Sequence, residues 1–411
     1  MQITLPGAPE AWADAPGGQW LITPADRCSR AADLDRPGSG PKIRRLRGTP
    51  IANRRKVRNN TILDRLTLAH LPGLGPRGRR ALLARGPLAE TLAHPDAHAD
   101  VLPEAARARL RTGEARRFAE AEQSRAEARG VRVIGSGEPD YPEWLAQTYD
   151  PPPALYVQGT LVPDEGERSV AVVGSRAATP QGLAFARVLS RDLAGSRVTV
   201  VSGLARGIDA AAHRGALDAG GRTVAVLGSG LGRVYPRENQ ELAAAIVARA
   251  GAVVSEFPLD APPWKGNFPR RNRVIAGWGR AVVVVEAGRK SGALITARAA
   301  YDEGRDVMAV PGHPTWPCAS GTNALLRDGA VPVRHAGDVL EELGLASSAA
   351  AEMERETEDD VLAALRRDAP SSVEEIASRC GRGLPELLAR LGELELTERV
   401  RRLPGPLFVR S

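Results

Sequence analysis

The residues best suited to hold an anionic polymer lie between positions 264 and 297. The turn at 264–273 reads Trp-Lys-Gly-Asn-Phe-Pro-Arg-Arg-Asn-Arg, and an apolar run and then Lys-Ser-Gly at 290–292 follow it. Guanidinium groups hold phosphates in a planar fork, aromatic rings stack on bases or sugars, and glycine lets a phosphate approach the free N–H groups of a helix start. The pattern therefore predicts contact with nucleic acid, against the alternative of a proline-pinned surface turn.

Four other glycine-containing loops repeat this chemistry after apolar runs. They are Gly-Ser-Arg at 174–176, Ser-Gly-Leu-Ala-Arg-Gly-Ile-Asp at 202–209, Gly-Ser-Gly-Leu-Gly-Arg-Val-Tyr-Pro-Arg at 228–237, and the segment 311–323, which begins Pro-Gly-His and ends Ser-Gly-Thr-Asn. Several phosphate-holding loops suit a polymer better than one mononucleotide, because each neutralised phosphate adds salt-dependent affinity. The aromatic residues favour single strands over a duplex.

Two nucleotide-binding motifs that these loops approach are incomplete. Arg233 stands where the third glycine of the dinucleotide fingerprint belongs, and no acidic ribose-binding residue follows at the expected distance. A Walker loop needs glycine directly before its lysine, but Arg289 precedes Lys290. We therefore expect no nucleotide cofactor.

The carboxylates near the predicted strand ends show no catalytic spacing. Asp209, Glu256 and Glu286 form no obvious acid–base pair, and none lies beside histidines as a metal site requires. Helix capping or pairing with an arginine explains each of them, and His213 is expected to pack rather than catalyse. The sequence thus predicts binding without turnover, with no catalytic residues and no metal.

Six short apolar runs, each followed by a Gly/Ser turn and a helical segment, define the central architecture. The runs are 170–173, 198–201, 224–227, 252–255, 281–285 and 307–310. Strands so uniformly apolar must be covered on both faces, which predicts an α/β fold with an extended, mainly parallel, Rossmann-like sheet and helices on both faces. Ligands of such sheets bind at the carboxyl ends of the strands, where these loops lie.

Changes in composition divide the chain into five predicted regions. They are a basic flexible arm at 1–58, a helical SAM/helix-hairpin-helix-like domain at 59–127, a Rossmann-like single-stranded-DNA-binding domain at 128–344, a linker at 345–356, and a winged-helix-like domain at 357–411. For the arm, a start codon assigned too early is the alternative. In the helical domain, the turn at 71–75 either binds DNA non-specifically or only closes a bundle. In the tail, the third helix carries Arg390 against three glutamates, which favours a partner-docking or structural role over duplex binding.

The overall charge favours a polyanionic partner. Lys and Arg total 56 against 49 Asp and Glu, for a formal charge of +7, and the pI is near 9.7.

The cysteines, Cys28, Cys318 and Cys380, are far apart, which argues against a disulfide framework or a zinc site and fits a reducing cytoplasm. No stretch is long and apolar enough to cross a bilayer, and the first residues lack a secretory signal. We therefore expect a cytoplasmic protein without a membrane span.

The ordered loops resemble those of the bacterial DNA-processing protein A family, also called DprA or Smf. The matching segments fall within about residues 138–335 and are 141–142 with the proline run at 151–153, 170–176, 202–213, 225–239, 255–256, 267–277, 282–297 and 304–323. The resemblance implies a homodimeric, single-stranded-DNA-binding recombination mediator. It implies that the protein protects incoming DNA and helps load the RecA recombinase in natural transformation and recombination, with single-stranded-DNA-binding protein as a further partner.

The resemblance also implies which residues contact DNA. They are Arg176, Ser202, Gly203, Arg206, Arg237, Lys265, Arg271, Arg273, Lys290 and Gly292. The chain departs from the family pattern in its arginine-rich start and at 397–400 (Thr-Glu-Arg-Val), where a glycine is more usual.

Two other functions stay open at the level of sequence. One is a nucleotide-binding or nucleotide-hydrolysing enzyme of the phosphoribohydrolase-like Rossmann group, whose Pro-Gly-Gly-x-Gly-Thr-x-x-Glu signature supplies a catalytic glutamate. In this chain the Pro-Gly at 311–312 is followed by His313, where the signature has a glycine. Leu325 stands three positions after Thr322, where the glutamate belongs. The other is an adaptor whose sheet mainly holds the terminal modules.

Overall fold

The computed structural model describes residues 61–162, 164–345, 360–365, 370–396, 400–403, 405 and 407–410. The predicted arm at 1–58 and the predicted linker, apart from its first residue, lie outside these ranges. Internal contacts divide the chain into two units between Val339 and Leu340. The limits of the five predicted regions stay predictions.

The first unit is built on a nine-stranded sheet in the order β1-β2-β6-β5-β4-β3-β7-β8-β9. The strands are β1 (Arg132–Gly135), β2 (Ala154–Gly159), β3 (Ser169–Val173), β4 (Thr199–Ser202), β5 (Thr223–Val226), β6 (Ala252–Ser255), β7 (Ala281–Val284), β8 (Asp306–Ala309) and β9 (Val331–Pro332). All pairs from β6 to β9 are parallel, and β2 pairs antiparallel with both β1 and β6. This confirms the predicted α/β class with a mainly parallel sheet.

The central strands are buried along their whole length, as their apolar composition predicted. β3 to β7 have no exposed residue, because helices cover both faces of the sheet. Val170 of β3 pairs with Val200 of β4 and with Ala281 of β7. The strands therefore run in one direction side by side, so their carboxyl ends form one edge of the sheet.

Helices connect the strands and surround them. They are α1 (61–69), α2 (Pro76–Leu83), α3 (Leu88–Ala93), α4 (Glu104–Arg111), α5 (Glu114–Ala128), α6 (Glu143–Ala146), α7 (Pro180–Gly195), α8 (Ile208–Asp218), α9 (Gln240–Ala248), α10 (Asn267–Gly277), α11 (Ala293–Asp302), α12 (Ser320–Arg327) and α13 (Ala336–Glu342). The start of α7 shows why a helix begins there: Thr179 accepts a hydrogen bond from Gly182 N–H, and Pro180 occupies the first turn.

The helical region before β1 packs on the sheet domain. Ile62 and Leu66 of α1 and Ala126 of α5 belong to one buried cluster with Leu242 and Ile246 of α9. The predicted helical region is therefore present. Its helices α1 and α5 contribute to a core shared with the sheet domain, and a separate apolar cluster lies within the region itself.

The second unit has the predicted winged-helix order. It contains α14 (Asp360–Ala364), β10 (Ser371–Ser372), α15 (Val373–Cys380), α16 (Leu384–Leu396), β11 (Val400–Leu403) and β12 (Leu407–Arg410), with strand order β10-β12-β11. Ser372 and Glu375 form a reciprocal capping box at the start of α15. Ile376, Leu387 and Leu391 lie in its core.

Candidate nucleic-acid interface

The candidate site is the edge where β3 to β8 end, which we call the rim. Its loops are residues 174–179, 203–207, 227–239, 256–266, 285–292 and 310–319. From β3 the chain proceeds to β4, β5 and β6 on one side, and it returns to β7 and β8 on the other. The switch point between β3 and β7 is the place where open α/β sheets bind ligands.

Arg176 lies at this switch point. Its side chain is exposed, and its guanidinium group lies 4.8 Å from the centre of the Phe268 ring, at the start of α10. The Phe268 ring is in turn 6.0 Å from that of Tyr235, on the loop after β5. One cation and two aromatic rings from two loops and the start of α10 therefore converge, as stacking and phosphate contact together require.

The loops after β4 and β5 add two more arginines. Arg206 pairs with Glu238, with 2.8 Å between Nη2 and Oε2, and both side chains are exposed, so a phosphate can compete for the guanidinium group. Arg237 is exposed and lines a cleft of about 500 Å³ with Tyr235. These side chains extend the basic surface from β3 toward β6.

Lys265 and Lys290 are exposed ahead of α10 and α11, respectively. Gly292 precedes the first residue of α11, is exposed, and a Cβ atom added to it would meet nothing within 4 Å. The start of α11 is therefore open to close approach by an anion. Asn272 donates to the Gly292 carbonyl (3.2 Å), which ties α10 to this helix start.

Ser202 and Gly203 do not face solvent. The Ser202 hydroxyl is fully buried and donates to Val172 O (2.6 Å). The Gly203 N–H donates to Asp209 Oδ2 (3.1 Å). Both groups that the resemblance offered to DNA are thus used inside the fold.

Arg271 is also buried, at 3% exposure. Its Nη1 donates to the carbonyl of Gly203 (2.6 Å) and to that of Val226, so it bridges the ends of β4 and β5. Burial lowers its pKa to about 10, with the positive charge of Arg176 acting in the same direction and Asp209 opposing it. Arg271 remains charged near neutral pH and shapes the rim from beneath.

Arg273 belongs to a largely buried ion-pair network. Its Nη2 lies 2.5 Å from Glu256 Oε2, and its Nε lies 3.3 Å from Asp150 Oδ2. Asp150 also accepts from Arg79 at 2.8 Å, so Arg79, which follows the turn at 71–75, faces inward. The network ties the helical region, the segment just before the proline run at 151–153, and α10 together.

Comparison with known proteins identifies the family. A family model described as DNA recombination-mediator protein A matches residues 132–344, and one described as the DprA winged helix domain matches residues 345–406. The chain belongs to the DNA recombination-mediator protein A family. This confirms the resemblance seen in the loops.

Individual members of the DNA recombination-mediator protein A family match over long stretches. Protein Smf of Escherichia coli (strain K12) is 41% identical over 276 residues, which cover 64% of this chain and 74% of that protein. DNA processing protein DprA of Bacillus subtilis (strain 168) is 39% identical over 214 residues, 52% of this chain and 72% of that protein. The X-ray structure of DNA processing protein A from Streptococcus pneumoniae superposes with a TM-score of 0.58 at 34% identity, covering 68% of this chain and 97% of that one.

The carboxylates of this family member serve the backbone. Glu286 accepts from the Thr179 N–H (2.9 Å) and from the Thr179 hydroxyl, at the start of α7. Asp209 accepts from the N–H groups of Gly203 and Ala205, and burial raises its pKa although Arg271 acts in the opposite direction. Glu286 thus holds the residue before α7, and Asp209 holds the loop before α8.

His213 is completely buried, and its Nδ1 lies 2.7 Å from the Thr223 hydroxyl. That hydroxyl donates to Val200 O, so the imidazole links α8 to β5. Burial, followed by the charges of Arg271 and Arg214, lowers the pKa of His213 to about 3. The neutral ring packs inside the domain.

The described residues contain neither a metal-binding cluster nor a membrane-spanning helix. No group of three or more His, Cys, Asp or Glu side chains there could hold a metal ion. Likewise, in the part of the chain that the structure describes, no helix is long and apolar enough to span a membrane.

Sequence reasoning missed two exposed residues of the rim. Arg289 was considered only as a departure from the Walker motif, although its side chain is exposed beside Lys290. Trp316, 51% exposed on the loop after β8, was not considered. Its position within the predicted loop at 311–323 was the signal that was available.

Proposed function

We propose that this chain binds single-stranded DNA along the rim and acts as a recombination mediator. One observation carries the proposal: exposed cationic side chains stand on five neighbouring loops of one sheet edge. They are Lys265, Arg237, Arg206, Arg176 and Lys290, in the order of the strands β6, β5, β4, β3 and β7. A row of this kind suits a chain of phosphates, and Phe268 and Tyr235 supply stacking surfaces along it.

The proposed DNA contacts therefore differ from those implied by resemblance alone. Arg176, Arg206, Arg237, Lys265 and Lys290 supply charge, and Gly292 supplies backbone N–H access at the start of α11. Arg271, Arg273, Ser202 and Gly203 support the loops, because their polar groups are already bonded within the domain.

A salt titration tests this groove. Arg176→Ala and Lys290→Ala should each weaken binding to single strands of any sequence, and each should lower the slope of log affinity against log salt by roughly 0.7 to 1. Arg214→Ala is the matched control, because Arg214 is exposed on α8 outside the rim. The groove assignment fails if both rim variants keep the slope of the unaltered protein.

We further propose, from family membership, that the protein works in the cytoplasm as a homodimer, protects incoming DNA, and loads RecA onto strands held by single-stranded-DNA-binding protein. The unaltered protein should accelerate RecA filament formation on such strands. The double variant Arg176→Ala/Lys290→Ala should not. If the unaltered protein and the double variant accelerate filament formation equally, RecA loading does not depend on the rim.

A further inference from the structure

Two exposed tryptophans stand at opposite ends of the rim. Trp264 is 68% exposed on the loop after β6, and Trp316 is 51% exposed on the loop after β8. The loops of β5, β4, β3 and β7, with four of the five proposed DNA-binding cations, lie between them. A single exposed aromatic residue needs no explanation, but this placement continues the row of cations and rings by one strand beyond Lys290.

The loop that carries Trp316 is held in place by its neighbours. Asn323 hydrogen-bonds both the N–H (3.2 Å) and the carbonyl (2.9 Å) of Gly312. The Gly321 N–H donates to Ala287 O at 2.7 Å, which joins this segment to the loop bearing Lys290. Neighbouring strands lie about 4.8 Å apart, so the two loops are adjacent on the rim.

The indole ring is also supported on one side. The His313 ring centre lies 5.7 Å from that of Trp316, with 39° between the ring planes. Nδ1 of His313 lies 2.8 Å from the Thr315 hydroxyl and accepts from the Thr315 N–H, which fixes the imidazole. An indole that contacts a fixed neighbouring ring and is half exposed to water is a platform on which a base can stack at low entropic cost.

We propose that Trp316 is a base-stacking site for single-stranded DNA at the β8 end of the rim. The proposal rests on the proposed function and extends the DNA track from the loop after β6 to the loop after β8. The five strand-to-strand steps between those loops span about 24 Å. The ligand is a nucleobase next to the phosphate held by Lys290 and Arg289.

The decisive variant is Trp316→Ala in the full chain. Base–aromatic stacking contributes about 1–3 kcal/mol per base, so we expect affinity for a single strand to fall about 5- to 150-fold. The salt slope should stay unchanged, because no phosphate contact is lost. Trp316→Phe should restore most of the affinity, and a strand of abasic sites should bind the unaltered protein and Trp316→Ala equally.

Tyr149→Ala is the matched control for loss of an exposed aromatic ring. Tyr149 is 48% exposed, and its backbone N–H bonds to Glu303, just beyond the end of α11 opposite Gly292. This variant should bind like the unaltered protein. The hydrogen bonds of Trp316 use only its backbone: its N–H donates to His313 O, and its carbonyl accepts from the Ala319 N–H. Trp316→Ala should therefore keep the thermal unfolding midpoint of the unaltered protein.

Three results would overturn the stacking site. One is unaltered affinity in Trp316→Ala while Arg176→Ala binds weakly, which leaves the proposed function intact. A second is an affinity loss that is equally large on abasic strands. The third is a loss of self-association in Trp316→Ala that accounts for the weaker binding, since the indole would then be a contact between copies. If the unaltered chain binds no single strand, the proposed function itself fails.

Discussion

At the scale of the residue, two arginines that the family resemblance assigned to DNA have different surroundings. Arg176 is exposed and lies over Phe268, so its guanidinium group can bind a phosphate. Arg271, three residues after that phenylalanine, is buried and donates to two carbonyl groups at strand ends. In the proposed function the first contributes affinity and the second contributes shape, because only solvent-facing donors remain to be satisfied by a ligand.

Replacing Arg271 by Met tests the supporting role. The variant leaves the carbonyls of Gly203 and Val226 without their charged donor in a buried place, so we expect the free energy of unfolding to fall by about 3 kcal/mol. Urea unfolding monitored by circular dichroism measures the change. Arg270→Met is the control: this exposed neighbour lies over the Phe257 ring, and its loss should cost less than about 1 kcal/mol. Equal stability of the two variants would contradict the assignment.

At the scale of the element, helix starts and strand ends set what the loops can accept. The loop between β4 and α8 is compact: a Cβ on Gly207, whose φ is +75°, would lie 2.2 Å from the Ser175 carbonyl oxygen. The start of α11 is open, because nothing lies within 4 Å of a Cβ added to Gly292. One glycine is thus required by the fold, and the other leaves room for a ligand.

Replacing each of these glycines by alanine distinguishes a glycine that the fold requires from one that leaves room for a ligand. Gly207→Ala should lower the free energy of unfolding by about 2 kcal/mol or more, because the backbone conformation is strained for an L-residue and the methyl group collides with backbone. Gly292→Ala, with φ near −61°, should leave stability unchanged and still weaken single-strand binding, since the methyl group occupies the approach to the helix N–H groups. Thermal unfolding and strand binding, measured on both variants, check this. Full affinity in Gly292→Ala would show that no phosphate approaches there.

At the scale of the whole molecule, the helical region and the sheet domain share buried structure. Glu122 of α5, 1% exposed, accepts from the Tyr156 hydroxyl (3.1 Å) and from the Leu259 N–H (3.0 Å). The Leu259 carbonyl accepts from the Gly232 N–H at 2.8 Å. Helix α5, which precedes β1, therefore holds the loop after β6 directly. Through that loop it also holds the loop after β5.

Two fragments test this dependence. A fragment of residues 130–345 would expose Leu242, Ile246 and Tyr156, which α1 and α5 cover, at a cost of at least about 5 kcal/mol. Its thermal unfolding midpoint should lie about 10 to 20 °C below that of a fragment of residues 61–345. Calorimetry on the two fragments measures the difference. Equal midpoints would show that the helical region contributes nothing to the fold of the sheet domain.

The sequence by itself determined the class of fold and predicted the sheet edge at which the candidate site lies. Uniformly apolar runs separated by glycine turns and helical segments specify a covered parallel sheet, and parallel strands bring their following loops to one edge whatever the details of packing. The loops bearing Arg176, Arg237, Lys265 and Lys290 could therefore be placed together, and ordered motifs over six strands were enough to indicate the family.

Tertiary structure alone decided which of the predicted groups a ligand can reach. Arg271, Arg273 and Ser202 are of residue types that can bind phosphates. In the fold they already donate to backbone carbonyls distant in sequence, those of Val226, Asp150 and Val172, respectively. Burial and hydrogen-bond saturation depend on contacts between remote segments, which local spacing does not encode. For the same reason Trp316 became a candidate only when the sheet order placed it at the end of the rim.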